Sequence, residues 1–341
     1  MRHYLCPILL SVILFSCHKS NNGPSNDPGN GGSRGPTGDS SSRPADSFPW
    51  KVVNTNAGSA ADIWFTSASK GFIAGENALY QSLDSGKTWS KIPNTAPGTD
   101  SSMFNLFFVN DTYGYAQGFS RIQVTKDGGN TWSLQTLPTG AAYNIYFTSP
   151  STGYYSDRSN GVYKSTDTGK TWKQTFKSSK SGQLAYAVNF LNPDNGFILC
   201  EDGVLSKTAD GAASWQQVQQ NIYTPAGPAS QFNSLQFIDN LTGLYACDRG
   251  VLKTTDGGLS WQRLYPPGGN INVLKFFNAD TGYYKSDYVI YKTVNGGKAW
   301  TVTYRTKTMT GENILTGMSF FQDKIGWAVE GNGTVLRIDQ P

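Results

Sequence analysis

The sequence predicts an all-β fold, a seven-bladed β-propeller whose blades each contain four strands. An eight-residue motif of the form Ser/Thr-x-Asp-x-Gly-x-Thr-Trp recurs six times, at a spacing of about 40 residues that is typical of propeller blades. A phenylalanine followed six residues later by a glycine recurs seven times, once in each predicted blade. A short segment at the start of the folded region resembles the end of a further repeat, which indicates that an N-terminal strand closes the ring.

The eight-residue motif has the composition of a tight turn between two strands. Its aspartate can accept hydrogen bonds from backbone N–H groups of the turn, and its glycine adopts the positive φ that a Cβ atom disfavours. Threonine and tryptophan then begin an extended strand, and the indole is large enough to fix the turn onto the sheet. The glycine of the fourth copy is displaced by one position, to Gly211. The turn residues that accept these bonds, one per copy, are Asp84, Asp127, Asp167, Asp210, Asp256 and Asn295.

These eight residues match the Asp box, and the chain resembles the BNR-repeat proteins throughout residues 48–341. This resemblance implies the propeller architecture. It says little about chemistry, because the box is a turn and a function depends on a site.

The phenylalanine–glycine pairs predict the first two strands of each blade. An apolar residue stands two positions before each phenylalanine, and this alternation is typical of a strand. We expect the glycine to lie in the turn that leads to the second strand. The seven pairs are Phe65 and Gly71, Phe108 and Gly114, Phe147 and Gly153, Phe190 and Gly196, Phe237 and Gly243, Phe276 and Gly282, and Phe320 and Gly326.

The seventh repeat, 314–339, stops after its third strand. The missing fourth strand is predicted at 48–54, where Trp50 precedes Trp89 by about one period. An N-terminal strand in the last blade closes the ring and leaves only short, protected sheet edges. The alternative is an open solenoid of hairpins, which needs polar capping repeats, and no segment has that composition.

Residues 1–17 have the pattern of a bacterial lipoprotein signal, with Arg2, an apolar run too short to span a bilayer, and Cys17 as the lipidated residue. An ordinary secretory signal is the alternative. Residues 18–47 are rich in Asn, Gly, Ser, Pro and Asp and predict a disordered tether. We therefore expect an exported lipoprotein, anchored most readily in the outer membrane, with a propeller at 48–341.

Composition excludes several kinds of chemistry. The two histidines, His3 and His18, precede the propeller, so a His-containing catalytic triad or a His-ligated metal site is excluded there. The formal net charge is +4 without a Lys/Arg run, which argues against nucleic acid. Cys200 and Cys247 occupy equivalent positions in adjacent blades, about 10 Å apart, and are expected to be free thiols. The sequence predicts no cofactor and no metal.

Binding is predicted on the top face, defined as the loops between the second and third strands together with the connections between blades. The Asp boxes lie on the opposite face. Arginine presents a planar fork that suits carboxylates and phosphates, although charged loop residues are often only solvated. The candidate binding residues are Arg121, Arg158, Arg249, Glu201, Asp248, Asp287 and Glu330.

The length, the seven repeats and the arginine-bearing face resemble the photosystem II assembly-factor family of propellers. That resemblance implies a non-enzymatic module that grips a protein or peptide segment. A passive surface lipoprotein without a particular pocket is a further possibility.

The alternative function is a glycoside hydrolase acting on surface or periplasmic glycans, since sialidases also carry Asp boxes. The Arg-Ile-Pro motif of sialidases is absent, because Arg121-Ile122 is followed by Gln123. A carboxylate pair could still assemble from the top-face acids, and its spacing would decide between retaining and inverting chemistry. Those acids are Glu201, Asp202, Asp248, Asp287 and Glu330.

Overall fold

The fold is that of a computed structural model, which describes most of the chain after residue 47. The described residues are 48–76, 78–93, 95, 103–118, 121–139, 142–157, 161–177, 185–200, 203–219, 222, 235–247, 250–267, 271 and 273–340, without the side chains of 143, 185, 186 and 247.

The described chain forms seven antiparallel sheets of four strands each, which are the blades of the predicted propeller. Blades 1 to 6 follow the chain from their innermost to their outermost strand. They are, in order, β2 (Asp62–Phe65), β3 (Gly71–Ala74), β4 (Leu79–Ser82) and β5 (Ser90–Lys91); β6 (Asn105–Phe108), β7 (Gly114–Gln117), β8 (Arg121–Thr125) and β9 (Ser133–Thr136); β10 (Ala142–Phe147), β11 (Gly153–Asp157), β12 (Gly161–Ser165) and β13 (Lys173–Lys177); β14 (Ala185–Phe190), β15 (Gly196–Cys200), β16 (Leu205–Thr208) and β17 (Gln216–Gln219); β18 (Leu235–Phe237), β19 (Gly243–Cys247), β20 (Gly250–Thr254) and β21 (Gln262–Leu264); β22 (Val273–Phe276), β23 (Gly282–Lys285), β24 (Val289–Thr293) and β25 (Thr301–Arg305).

Blade 7 is built from both ends of the propeller. Its inner strands are β26 (Leu315–Phe321), β27 (Ile325–Glu330) and β28 (Val335–Asp339), and its outermost strand is β1 (Lys51–Asn54). Val52 lies opposite Leu336 in the antiparallel pair. The predicted ring closure is therefore confirmed.

Helical structure in the described residues is limited to a 3₁₀ turn at Gly311–Asn313. No helix there has the length and hydropathy needed to cross a membrane.

The hydrophobic core lies between the blades. Seven clusters of buried residues each combine side chains of two adjacent blades, including one that joins blade 7 to blade 1. In β2, for example, Ile63 and Phe65 are buried against Trp327 and Val329 of blade 7. The alternating apolar residues predicted for the first strand of each blade are therefore those on the face that packs against the preceding blade.

The glycine of each phenylalanine–glycine pair belongs to the second strand and does not lie in the turn, so that part of the prediction is wrong. It is the first residue of that strand in blades 1 to 6, and Gly326 is the second residue of β27 in blade 7. Gly153 is paired directly opposite Phe147. A Cβ atom on Gly153 would lie 2.3 Å from Cε1 of Phe147. The glycine is therefore required by the space that the phenylalanine ring occupies. The other six glycines have the same relation to their own phenylalanines.

Aromatic contacts on two sides hold six of these seven phenylalanine rings. The exception is Phe276, which meets Trp300 edge-on and has Leu244 at the position of the preceding-blade aromatic residue. Tyr115 of the preceding blade stacks on Phe147 with centroids 3.4 Å apart, and Trp172 of the same blade meets it edge-on at 6.0 Å. In blade 7, Trp50 meets Phe320 edge-on at 6.1 Å, as the box tryptophans do in the other blades. Trp50 thus takes the place of the absent seventh box tryptophan.

The Asp boxes form the predicted turns, with more side-chain bonds than the prediction included. Asp167 accepts hydrogen bonds from the backbone N of Thr171 (2.9 Å) and from its hydroxyl (2.5 Å). The hydroxyl of Ser165 donates to Asp167 and accepts from the backbone N of Gly169. The indole N–H of Trp172 donates to the carbonyl of Gly169. Each recurring position of this box therefore has a bonding role.

The two irregular boxes keep this turn. In the fourth copy, Ala212 occupies the glycine position with φ 70° and still donates to the hydroxyl of Thr208. In the sixth copy, Asn295 accepts a hydrogen bond from the backbone N of Ala299. Alanine has no hydroxyl, so the second bond of the regular boxes is missing there.

Replacement of Trp50 by alanine should destabilise the propeller by about 3–5 kcal/mol, because it empties a buried aromatic site and loosens the closing strand. Trp50 is 2% exposed and its indole N–H donates to the hydroxyl of Thr303 in blade 6. Thermal unfolding of the Trp50→Ala variant should be compared with that of a variant lacking residues 20–45. Equal midpoints for the two variants would contradict the proposed role of the closing strand.

Asp167→Ala should cost about 1–2 kcal/mol through the lost turn bonds, and Asp167→Asn should cost less, because Asn295 shows that an amide oxygen can replace part of them. The hydrogen bond from the Thr171 hydroxyl, followed by that from its backbone, lowers the pKa of Asp167 from 3.8 to about 2. The carboxylate therefore stabilises the fold fully above pH 4, and this contribution is lost as the pH falls to 2. Urea unfolding at pH 7 and pH 2.5 should show the deficit of Asp167→Ala shrinking in acid; a constant deficit would contradict this account.

Candidate functional site

The top-face loops are joined to the blade-to-blade connections by backbone hydrogen bonds. Met103 donates to the carbonyl of Gly75 (3.2 Å), and Leu315 donates to that of Asp287 (2.7 Å). Gly331 donates to the carbonyl of Ile314 (2.9 Å). The two kinds of loop therefore contact each other at these blades.

Arg121 is the first residue of β8 and lies on this surface in blade 2. The backbone N of Gly118 donates to the Arg121 carbonyl at 2.9 Å, which closes the turn between β7 and β8. Arg121 pairs with Thr136 on the outermost strand, and its side chain is half-buried. The strand pairing fixes the backbone from which the guanidinium extends.

Asp287 follows Lys285, a lysine that is only 1% exposed at the end of β23. Burial lowers the pKa of Lys285 to about 8, although Asp287 and Asp62 both oppose that shift. Its ammonium donates to the carbonyl of Leu315 in blade 7 at 2.6 Å. Lys285 therefore connects blade 6 to blade 7.

Asp62, at the start of β2, completes this arrangement from blade 1. Its carboxylate accepts hydrogen bonds from the backbone N of Ile63 (2.8 Å) and of Leu106 in blade 2 (2.9 Å). Burial raises its pKa to about 7, against the effect of those two bonds and of Lys285. A Cβ atom on Gly317 of blade 7 would lie 2.6 Å from Oδ1 of Asp62, so glycine makes room for the carboxylate. We call Asp62, Lys285 and Asp287 the charged cluster.

Glu330 is buried and bonded to its neighbours. Its Oε1 accepts a hydrogen bond from the Tyr304 hydroxyl at 2.8 Å, and its Oε2 accepts one from the Asn332 amide at 3.4 Å. Glu330 is 4% exposed and Tyr304 is 5% exposed. Burial raises the pKa of both groups. Since Tyr304 belongs to blade 6 and Glu330 to blade 7, their bond holds two blades together.

The structure brings Asp287 and Glu330 close to each other through Leu315. The backbone of Leu315 is bonded to Asp287 and is paired with Glu330 in the sheet. Arg121 lies two blades away from blade 7. Of the predicted binding residues, Arg158, Arg249, Glu201 and Asp248 lie outside the described residues, as do Asp202 and the lipidation candidate Cys17.

Sequence reasoning missed Asp62 and Tyr304 as members of this region. The available signal was a departure from the repeat: the position of Lys285 is occupied in the other blades by Ala74, Gln117, Ser156, Leu199, Ala246 and Val329. Asp62 likewise occupies a position where blades 2 and 3 have Asn105 and Asn144. Ring closure determines which of these departing residues come close together in space. A local sequence pattern does not contain that information.

Cys200 is buried, as expected, while the side chain of Cys247 is outside the described set. Within the described part of the chain, no group of His, Cys, Asp and Glu side chains is arranged to hold a metal ion.

Comparison with solved structures identifies similar propellers. "YCF48 bound to D1 peptide" has a TM-score of 0.67 and 18% identity, over 87% of this chain and 98% of that one. YCF48 from Cyanidioschyzon merolae has a TM-score of 0.65 and 16% identity, over 85% and 98% of the two chains. A GH74 xyloglucanase from Xanthomonas campestris has a TM-score of 0.61 and 11% identity, over 86% of this chain and 54% of the enzyme. At such identities these likenesses show the fold alone.

Comparison by sequence is more specific. The photosystem II assembly lipoprotein Ycf48 of Synechococcus sp. (strain CC9902) is 28% identical over 137 residues, which are 38% of this chain and 40% of that protein. The match thus spans less than half of the relative. The family model described as photosynthesis system II assembly factor YCF48 matches residues 42–182, 141–209 and 180–314. The chain therefore belongs to the YCF48 family of photosystem II assembly factors.

Proposed function

We propose that this protein is a non-enzymatic binding module that grips a peptide segment of another protein on the top face of its propeller. The observation that carries the proposal is its membership of the YCF48 family, together with the bound D1 peptide of one structurally similar member. Assembly factors of this kind need recognition and no bond-breaking chemistry.

Three arginines are proposed to form the peptide contact. Arg121 begins the third strand of blade 2, and Arg158 and Arg249 stand in the segments between the second and third strands of blades 3 and 5. Each guanidinium presents five donors in a fixed plane, which suits peptide carboxylates and backbone carbonyls. Attachment to strands limits the conformational entropy lost on binding.

The described carboxylates support binding in preference to glycoside hydrolysis. Hydrolysis requires two carboxyl groups that reach the sugar from solvent. Glu330 is instead buried and bonded to Tyr304. A sialidase-like Tyr–Glu nucleophile is disfavoured here, because burial raises the pKa of the Tyr304 phenol and keeps it protonated. Hydrolysis of surface or periplasmic glycans is accordingly the minor alternative.

The protein is further proposed to be a lipoprotein, with residues 1–17 as its signal, Cys17 as the anchor and residues 18–47 as a tether. The lipobox-like pattern before Cys17 motivates this, and the Synechococcus relative is named a lipoprotein. We place it at the outer membrane, with the propeller at 48–341 as the part that meets the partner.

A triple variant should bind a fluorescently labelled D1 peptide about tenfold more weakly or worse than the parent, because it lacks charge-assisted hydrogen bonds. In this variant alanine replaces Arg121, Arg158 and Arg249. Fluorescence anisotropy on the full-length chain measures this. The matched control replaces the other three arginines of the propeller, Arg263, Arg305 and Arg337, by alanine, which removes the same charge.

Absence of peptide binding by the parent chain, or equal weakening by both triple variants, would contradict the proposal. Thermal midpoints of the variants show whether either triple change acts through unfolding.

Cys17→Ser should move the protein from the membrane fraction to the soluble fraction, because the thiol that would carry the lipid is removed. Fractionation of cells grown with a radiolabelled fatty acid measures both location and labelling. Labelling of the Cys17→Ser variant at the parent level would refute the assignment of the anchor.

A further inference from the structure

The formal charge of the chain is unevenly distributed among the blades. Residues 142–184, which include blade 3, contain six basic and two acidic residues, and their net charge of +4 equals that of the whole chain. Between Asp167 and Asp194 the sequence has no acidic residue and four lysines, which are Lys170, Lys173, Lys177 and Lys180. Blade 3 is therefore the most basic part of the ring.

Three of these lysines lie along the outer edge of blade 3. Lys173 and Lys177 are the first and last residues of β13, the outermost strand, and Lys170 stands in the Asp box that precedes it. All three side chains are exposed. Within the described residues, none of the three forms an ion pair with a carboxylate. Their charges are therefore available to an anion from solution.

Protection of the sheet edge accounts for fewer charges than this. A lysine on an edge strand discourages pairing with another chain. Four of the other outermost strands have one basic residue each, and β9 and β17 have none. Those single residues are Lys51, Lys91, Arg263 and Arg305. β13 has two, and Lys170 adds a third beside them.

Strand pairing adds to the positive charge at this edge. Lys173 lies directly opposite Lys164 on β12, and like charges at directly opposed positions destabilise a sheet. Blade 7 has the corresponding pair, Lys51 opposite Arg337, but there Asp339 forms an ion pair with Arg337 at 2.8 Å. In blade 3 an anion bound beside Lys173 would take the role that Asp339 has in blade 7.

The inner lysine of the pair is already engaged with blade 4. The ammonium of Lys164 donates to the carbonyl of Gly211 at 2.6 Å. Asp194 of blade 4 lies on the same side, since a Cβ atom on Gly211 would be 3.3 Å from Nζ of Lys164 and 3.8 Å from Oδ1 of Asp194. The outer lysines are therefore the ones left for an external partner.

We propose that the outer edge of blade 3, defined by Lys170, Lys173 and Lys177, docks an acidic segment of a partner protein. Lys173 and Lys177 are four residues apart on one strand, a separation of roughly 13 Å. An extended segment with several carboxylates can contact both lysines at once. A lysine ammonium is a point charge on a flexible stem, whereas nucleic-acid recognition favours the planar fork of arginine.

The location of this edge favours a protein partner over a bilayer. The chain enters the propeller through β1 in blade 7, and blade 3 lies across the ring from blade 7. β13 is therefore not the edge nearest to the point where the proposed anchor segment joins the propeller. The surface includes none of the three arginines proposed to bind a peptide, so it does not depend on that function.

Binding of a fluorescein-labelled Glu-Ser repeat peptide to the full-length chain tests the proposal. Fluorescence anisotropy is measured at low ionic strength, where exposed charges are least screened. Replacement of Lys170, Lys173 and Lys177 by glutamine should weaken binding about tenfold or more, because charge-assisted contacts are lost. A Gln-Ser repeat peptide should not bind the parent.

The matched control replaces three exposed lysines of other blades by glutamine and removes the same charge. It should bind the Glu-Ser peptide as the parent does. The three are Lys91, Lys298 and Lys324, of blades 1, 6 and 7.

Charge reversal provides a second test that edge protection alone does not pass. With glutamate at the three blade 3 positions, the variant should bind a Lys-Ser repeat peptide and reject the Glu-Ser peptide. Thermal midpoints should stay at the parent value, because all three side chains are exposed. If a triple variant unfolds, the single change Lys173→Gln and the comparison of the Glu-Ser and Gln-Ser peptides decide the question.

Absence of Glu-Ser peptide binding by the parent would overturn the proposal. Equal binding of the Gln-Ser peptide, or equal weakening by the blade 3 variant and the control variant, would do the same. Phosphatidylglycerol vesicles are the last comparison. Tighter binding of these vesicles than of the peptide, lost in the blade 3 variant, would assign the edge to a membrane surface and would also overturn the proposal.

Discussion

The contact on which the rest of the propeller depends is the phenylalanine ring held in the space left by a glycine. Phe147 lies over Gly153, between Tyr115 of the preceding blade and Trp172 of its own. One ring thereby fixes the register of two strands, the position of a box and the packing of two blades. Each aromatic pair contributes about 0.5–1.5 kcal/mol beyond the area that it buries. Repetition around the ring makes this local geometry the main determinant of the fold.

The sequence predicted the blades and the ring closure because both depend on short-range patterns. Alternation locates the inner strands, the box locates the outer turns, and the isolated Trp50 reveals the displaced strand. The position of the glycines was predicted wrongly, because a strand-start glycine and a turn glycine have the same spacing. What distinguishes the two is the ring of Phe147, which lies over Gly153 in the paired strand and occupies the space of a Cβ atom. The spacing of residues along the chain does not encode that contact. Asp62 and Lys285 were not linked either, since they meet only after the two chain ends join.

Departures from the repeat concentrate where blades 6, 7 and 1 meet. Blade 7 has no covalent connection between β28 and β1, so it is held to its neighbours by additional polar contacts. Trp50 bonds to Thr303, Tyr304 bonds to Glu330, and Lys285 bonds to the Leu315 carbonyl. Buried polar pairs of this kind add little stability unless both groups are fully bonded. Removing one partner is nevertheless strongly destabilising, because it leaves the other group buried without a bond. They therefore favour one arrangement of the chain ends over others.

The charged cluster carries a cost that varies with pH. The pKa of Asp62 is raised to about 7, so its contribution to stability falls as the pH rises from 3.8 through 7. The pKa of Lys285 is lowered to about 8, so its contribution falls as the pH decreases from 10.5 through 8. Both costs are present together between about pH 7 and 8, where Asp62 and Lys285 are charged. The aromatic packing that surrounds blade 7 offsets them, which is why a fold built on repeated apolar contacts can retain charge at the place where its ring closes.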